Sequence, residues 1–207
     1  IDNRYTRSIK FDFLDVTVPI VKKNHYIRFD GFVDDVAAHQ KKLLKELSQT
    51  GCKLTITDPL PEHAIGGCTT TLDFANGVRC SFVFVKKNQD ERVEKTLMEH
   101  EKYHAVARLN PDGIKALSEA IKKKGFDVDL GSLDEETAAC VMGSLTGYLQ
   151  GVELETISGD QYVNRSAEIL KQARKLKLTM PKIDERYKQS VDFDMIGVSI
   201  PITKPNW

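Results

Sequence analysis

Three residues in this chain could do chemistry together: His100, Glu101 and His104, spaced His-Glu-x-x-His. On a helix, positions i and i+4 share a face one turn apart, so both imidazoles can reach one ion. Zinc suits such a pair, because it takes neutral His nitrogens and works with an open coordination position. Glu101 follows the first ligand directly, where it can take a proton from a water that the ion has made acidic. The expectation is therefore Zn2+ on His100 and His104, with Glu101 as general base.

That chemistry requires a helix, and the flanking residues provide one. Glu91 and Glu94 stand early, where the positive end of the dipole favours them, and residues 91–110 contain no Gly or Pro. A strand precedes the helix, as the motif demands. The competing reading is a solvated helix face whose two His are merely exposed or cap carbonyls.

A catalytic zinc usually has three protein ligands. The longer metzincin motif needs Gly and His where this chain has Ala107 and Asn110, so the third ligand must come from elsewhere. The helix expected after Ser132 is the best source. Ser132-Leu-Asp-Glu135 reads as a capping box, which occupies Glu135 and leaves Glu136 free. Ala139, Cys140, Gly143 and Gly147 then form a small-residue stripe that lets two helices approach closely. Ala138, Val141, Met142, Leu145 and Leu149 look like the core stripe. Glu136 is the first choice and Glu135 the second; Asp112 is weaker, and both glutamates could instead be ordinary first-turn acids. His25, His39 and His63 read as surface residues.

The other elements follow from periodicity and turn chemistry. Residues 9–20 read as extended chain, and residues 33–48 as a helix that Gly51 closes. Residues 53–57 form a short strand and 59–67 a loop. Strands over 69–74 and 78–86 flank Asn76-Gly77, a strong hairpin signal. Asn110 and Pro111 should open a helix that ends at Gly125, and a further helix is expected over 166–176. Residues 193–202 echo residues 11–20, with five of ten positions identical. Either a module opening is repeated, or two strands are merely alike; the second reading is preferred for so short a match.

The pattern resembles a family. His-Glu-x-x-His on one helix, with a Glu near the start of a later helix, looks like the gluzincin branch of the zincin metallopeptidases. The likeness covers roughly residues 33–150. It implies zinc held by His100, His104 and Glu136, Glu101 as general base, and a peptide or protein substrate aligned on an edge strand, here 78–86. The branch often places Asp or Asn four residues after the ligand Glu to support a ligand His. Here those places hold Cys140 and Ala139, so the sequence names no orienting group.

The expected fold is α+β and zincin-like: a small, mostly antiparallel sheet against the motif helix and a following ligand helix, with extra terminal strands. The expected division is an N-terminal strand segment over 1–32, a catalytic domain over 33–177 and a C-terminal extended segment over 178–207. Of the tyrosines that could meet a developing oxyanion, Tyr103 stands toward the far side of the motif helix and Tyr148 three turns beyond Glu136, which leaves Tyr162 as the conceivable one.

Composition excludes some classes. Thirty basic and 30 acidic residues cancel, and no basic stripe or aromatic–basic alternation argues for nucleic acid. The apolar runs are far too short to span a membrane. Ile1 in place of Met favours a secreted or periplasmic location, or a trimmed chain. Four spaced cysteines make no Cys-x-x-Cys pair; Cys68 and Cys80 read either as a disulfide across the hairpin or as buried thiols. Three functions stay open: a zinc peptidase, a binding or structural protein on a zincin-like scaffold, and a metal-free α+β protein with an accidental motif.

Overall fold

The computed structural model describes residues 4–49, 54–56, 66–150, 190–193 and 198–201. The chain is α+β. A five-stranded mixed sheet runs β1 (Tyr5–Thr6), β4 (His25–Val33), β7 (Arg79–Lys86), β6 (Gly67–Phe74), β5 (Leu54–Ile56) in spatial order. Only β4 and β7 pair in parallel; the other neighbours are antiparallel. β2 (Ser8–Phe11) and β3 (Val16–Pro19) form a separate hairpin, as do β8 (Ser190–Phe193) and β9 (Val198–Pro201). The helices are α1 (Val36–Ser48), α2 (Glu91–Leu109), α3 (Gly113–Lys123) and α4 (Glu135–Gln150).

The Asn76-Gly77 turn joins β6 to β7 as expected, with Gly77 at φ +79°. β4 reaches parallel pairing with β7 through the α1–β5–β6 connection, as parallel strands need a long crossover. β7 is buried along nearly its whole length, which explains its continuous apolar run.

The sheet separates two cores. On one face, α1 covers Leu72, Cys80, Phe82 and Phe84 with Val36, Leu43 and Leu47. On the other, α2, α3 and α4 pack with Val83 and with the β2–β3 hairpin, whose Ile9, Phe11, Leu14, Val18 and Ile20 are all buried. Those five side chains contribute on the order of 10 kcal/mol of gross apolar burial. Asn110 ties the hairpin down by donating from Nδ2 to the Pro19 carbonyl at 2.7 Å.

Several local expectations are corrected. Asn110 does not cap α3: its side chain turns to β3, and α3 opens at Gly113 with Asp112 before it. α4 begins three residues after Ser132, which lies in a 3-10 turn over Leu130–Ser132. Its N-terminal cap is Asp134, whose Oδ1 accepts from the Thr137 amide at 3.0 Å. The strand over 78–86 is not an edge: β7 lies between β4 and β6. Cys68 and Cys80 are buried free thiols, because Cys68 stands opposite Phe84 and Cys80 opposite Leu72, far apart on the ladder. Gly51, residues 59–65 of the loop expected over 59–67, and the helix expected over 166–176 lie outside the described residues, while Gly67 already opens β6. No helix among the described residues is long and apolar enough to cross a membrane.

Candidate metal centre

The site forms where α2 meets α4. Asp90 caps α2 through the Arg92 amide, and the helix runs unbroken to Leu109, so His100 and His104 stand one turn apart. Their rings converge, with Nε2 to Nε2 at 3.2 Å. α4 arrives with its first turn over these rings, and its small Ala139 and Cys140 let it come close. Glu136 Oε2 lies 3.1 Å from His104 Nε2, and Oε1 lies 3.6 Å from His100 Nε2. The ligand atoms of His100, His104 and Glu136 all fall within 4.8 Å of one another.

These separations test whether zinc fits. Tetrahedral donors at ordinary zinc distances stand about 3.3 Å apart. The two Nε2 atoms stand 3.2 Å apart, and the two Glu136 oxygens lie 3.1 Å from one and 3.6 Å from the other, all near that edge length. Two imidazoles and a carboxylate are also a donor set that zinc accepts. The residues fit the ion.

Glu135, the second choice for third ligand, sits elsewhere in the cluster. Its Oε1 lies 2.6 Å from His104 Nδ1 and accepts from Arg108 Nε at 2.9 Å. A carboxylate can only accept here, so His104 Nδ1 carries a proton and Nε2 faces the cage. Glu135 therefore fixes the His104 ring. The capping-box assignment is corrected: because Asp134 caps α4, Glu135 is released from the Ser132 amide and turns to His104. Glu136 turns instead to the Nε2 side of both rings. Arg108 also donates to the Thr69 carbonyl at 2.6 Å, which fastens α2 and α4 to β6.

His100 is supported from its other side. Cys140 Sγ stands 3.4 Å from its Nδ1. Cys140 is the residue four after Glu136, the place where the gluzincin branch often carries Asp or Asn.

The two rings hold charge differently. Burial, and then the neighbouring His104, pull His100 down to about 4, so it is neutral and ready to ligate. Burial also works against charge on His104, but hydrogen bonds to Glu135 and Glu136 outweigh it and push the ring up to about 9. A metal must displace the proton on His104 Nε2 to bind there.

Glu101 is buried, and burial pushes its carboxyl up despite the pull of His104 and Thr69. Thr69 Oγ1 donates to Glu101 Oε2 at 2.7 Å. Gly67 lies against the same carboxyl: a Cβ there would stand 2.7 Å from Oε1. Glu101 thus has room only because β6 carries glycine at that point.

The remaining sequence candidates lie away from the cluster. Tyr103 is 1% exposed in the core, and burial pushes its phenol up to about 12, so it faces no substrate. Asp112 is exposed at the α3 start. His39 binds Asp30 Oδ2 at 2.9 Å on the far face of the sheet. Tyr162 and His63 lie outside the described residues.

Sequence reasoning missed Gly67, Thr69 and Arg108, and it misassigned Glu135. Gly66-Gly67 at a strand start was the one available signal, since glycine in a strand marks a close approach. The chain matches no protein-family model, no curated protein and no solved structure.

Proposed function

We propose that the chain is a zinc-dependent metallopeptidase of the zincin kind, gluzincin-like in its ligands, acting on a peptide or protein. The observation that carries this reading is the convergence of His100 Nε2, His104 Nε2 and the Glu136 carboxylate at separations a tetrahedral ion requires. Zinc held there supplies Lewis acidity to a carbonyl and makes a water acidic enough to attack it.

The chain's own residues do the rest. Glu135 fixes His104 in the tautomer that offers Nε2, and Cys140 flanks His100 Nδ1. Glu101 takes the proton of the attacking water and returns it to the leaving amine. Its raised pKa suits that exchange, and Thr69 with Gly67 sets the carboxyl's position.

A second reading is a metal-holding scaffold without hydrolysis. The burial of Glu101 and its hydrogen bond from Thr69 favour it, since a base so held must turn to meet a water.

One experiment separates these readings. Zinc content is measured by elemental analysis, and cleavage of a fluorogenic peptide library is followed with and without chelator. The peptidase reading expects about one zinc per chain, lost in His100→Ala, and cleavage abolished in Glu101→Gln while zinc stays bound. Zinc without cleavage in either protein leaves the scaffold; no zinc at all removes both.

A further inference from the structure

The two terminal hairpins share far more than a few strand residues. At a constant offset of 182, residues 1–22 and 183–204 agree at half their positions. The agreement begins before the strands, with Ile1-Asp2 matched by Ile183-Asp184 and Arg4-Tyr5 by Arg186-Tyr187. It continues beyond them to Lys22 and Lys204.

The backbones agree too. β2–β3 pairs Ser8 with Pro19 and Phe11 with Val16. β8–β9 pairs Ser190 with Pro201 and Phe193 with Val198, the same register at the same offset. Asp15 in the first turn adopts φ +51°, strained for a residue with a Cβ, and its counterpart is Gly197, which meets no such penalty.

The differences are the stronger argument, because they follow burial in the first hairpin. Its five buried residues, Ile9, Phe11, Leu14, Val18 and Ile20, have the apolar counterparts Val191, Phe193, Ile196, Ile200 and Ile202. Within the hairpin, changes of chemical character fall where it is exposed: Lys10 becomes Asp192, and Asp15 becomes Gly197. Residues that grip α2 and α3 are kept as well. Asp12 reaches Lys102 at 3.7 Å, and its counterpart is Asp194. Pro19, whose carbonyl accepts from Asn110, returns as Pro201. Val18, which fills the space left by Gly113, returns as the β-branched Ile200.

A hairpin with this pattern is shaped for one kind of seat, the α2–α3 surface, and in this module β2–β3 fills it. We infer that residues 183–204 open a second module of the same fold, so that the module repeats in tandem every 182 residues and β8–β9 plugs the α2–α3 surface of the second copy. The physical gain is modularity: each copy closes its core with its own opening hairpin. The inference does not depend on the metal, so its test avoids metal and activity.

In the test, residues 8–20 of the full chain are replaced by residues 190–202, with a scrambled 190–202 insert as control, and unfolding is followed by circular dichroism. The expected result is one cooperative transition within about 5 °C of the unaltered chain, with the scrambled control losing it. A chimera no better than the control overturns the inference. In a second arm, residues 21–150 are appended after Ile202. The number of slowly exchanging amides should roughly double; an unprotected second stretch overturns the tandem arrangement even if the chimera folds.

Discussion

Glu135 Oε1 lies 2.6 Å from His104 Nδ1, so the acid beside the proposed third ligand fixes the ring of the proposed second one. Two adjacent carboxylates at one helix start thus take different roles. Glu136 projects toward the Nε2 side of the imidazoles, and Glu135 holds the Nδ1 side.

Glu135→Gln should weaken zinc by roughly 10- to 100-fold without changing the saturated stoichiometry, the usual cost of losing a group that orients a ligand. Titration against a competing chelator reads the affinity. Unchanged affinity would show that Glu135 does not orient His104. Loss of stoichiometry at saturating zinc would make Glu135 a ligand.

Gly67→Ala tests the space around Glu101, the proposed general base. A Cβ at Gly67 would stand 2.7 Å from Glu101 Oε1, so the carboxylate must shift. The substitution should lower kcat for peptide cleavage by on the order of 10- to 100-fold, since displacements of about 1 Å carry such costs. Zinc content and the main thermal transition should stay as they are. Steady-state kinetics with matched melting curves check both halves.

Gly113→Ala tests the hairpin seat. The added Cβ would meet Val18 Cγ1 at 2.3 Å, and the stiff valine cannot step aside cheaply. The expected cost is about 1–3 kcal/mol, read from the midpoint of urea unfolding. Pairing it with Val18→Ala should recover part of that loss, and simple additivity would place the strain elsewhere.

Asp30 sits on the far face of the sheet and sets an acid limit on stability. Burial pushes its carboxyl up, but hydrogen bonds from Arg28 at 2.6 and 2.9 Å and from His39 outweigh it and hold it below the usual aspartate range. A group depressed in the folded state adds stability above its unfolded pKa, and that stability is lost as pH falls through the folded one. Asp30→Asn should therefore cost about 3 kcal/mol near neutral pH, where it strands the buried Arg28. The gap from wild type should narrow as pH drops below about 4. Urea unfolding across that range measures it, and a gap that stays constant with pH would refute the linkage.

What the sequence determined by itself is local. His100 and His104 share a helix face because 3.6 residues per turn bring i and i+4 together, whatever surrounds them. Asn76-Gly77 makes its hairpin, and the gap-free run over 91–109 makes α2, for equally local reasons. The core stripe of α4, including Ala138, Val141, Met142 and Leu145, was legible from apolar periodicity.

The tertiary structure decided what joins residues distant along the chain. Choosing between Ser132 and Asp134 as the cap changes the residue at which α4 starts, and several residues there are good caps in sequence. Which glutamate meets which imidazole then depends on how α2 and α4 pack, a contact across about thirty residues that no spacing rule carries. Pairing of β4 with β7 buried the strand expected at the edge. Gly67, Thr69 and Arg108 gained their roles the same way, since a glycine or a threonine in a strand acquires meaning only from the side chain that folding brings against it.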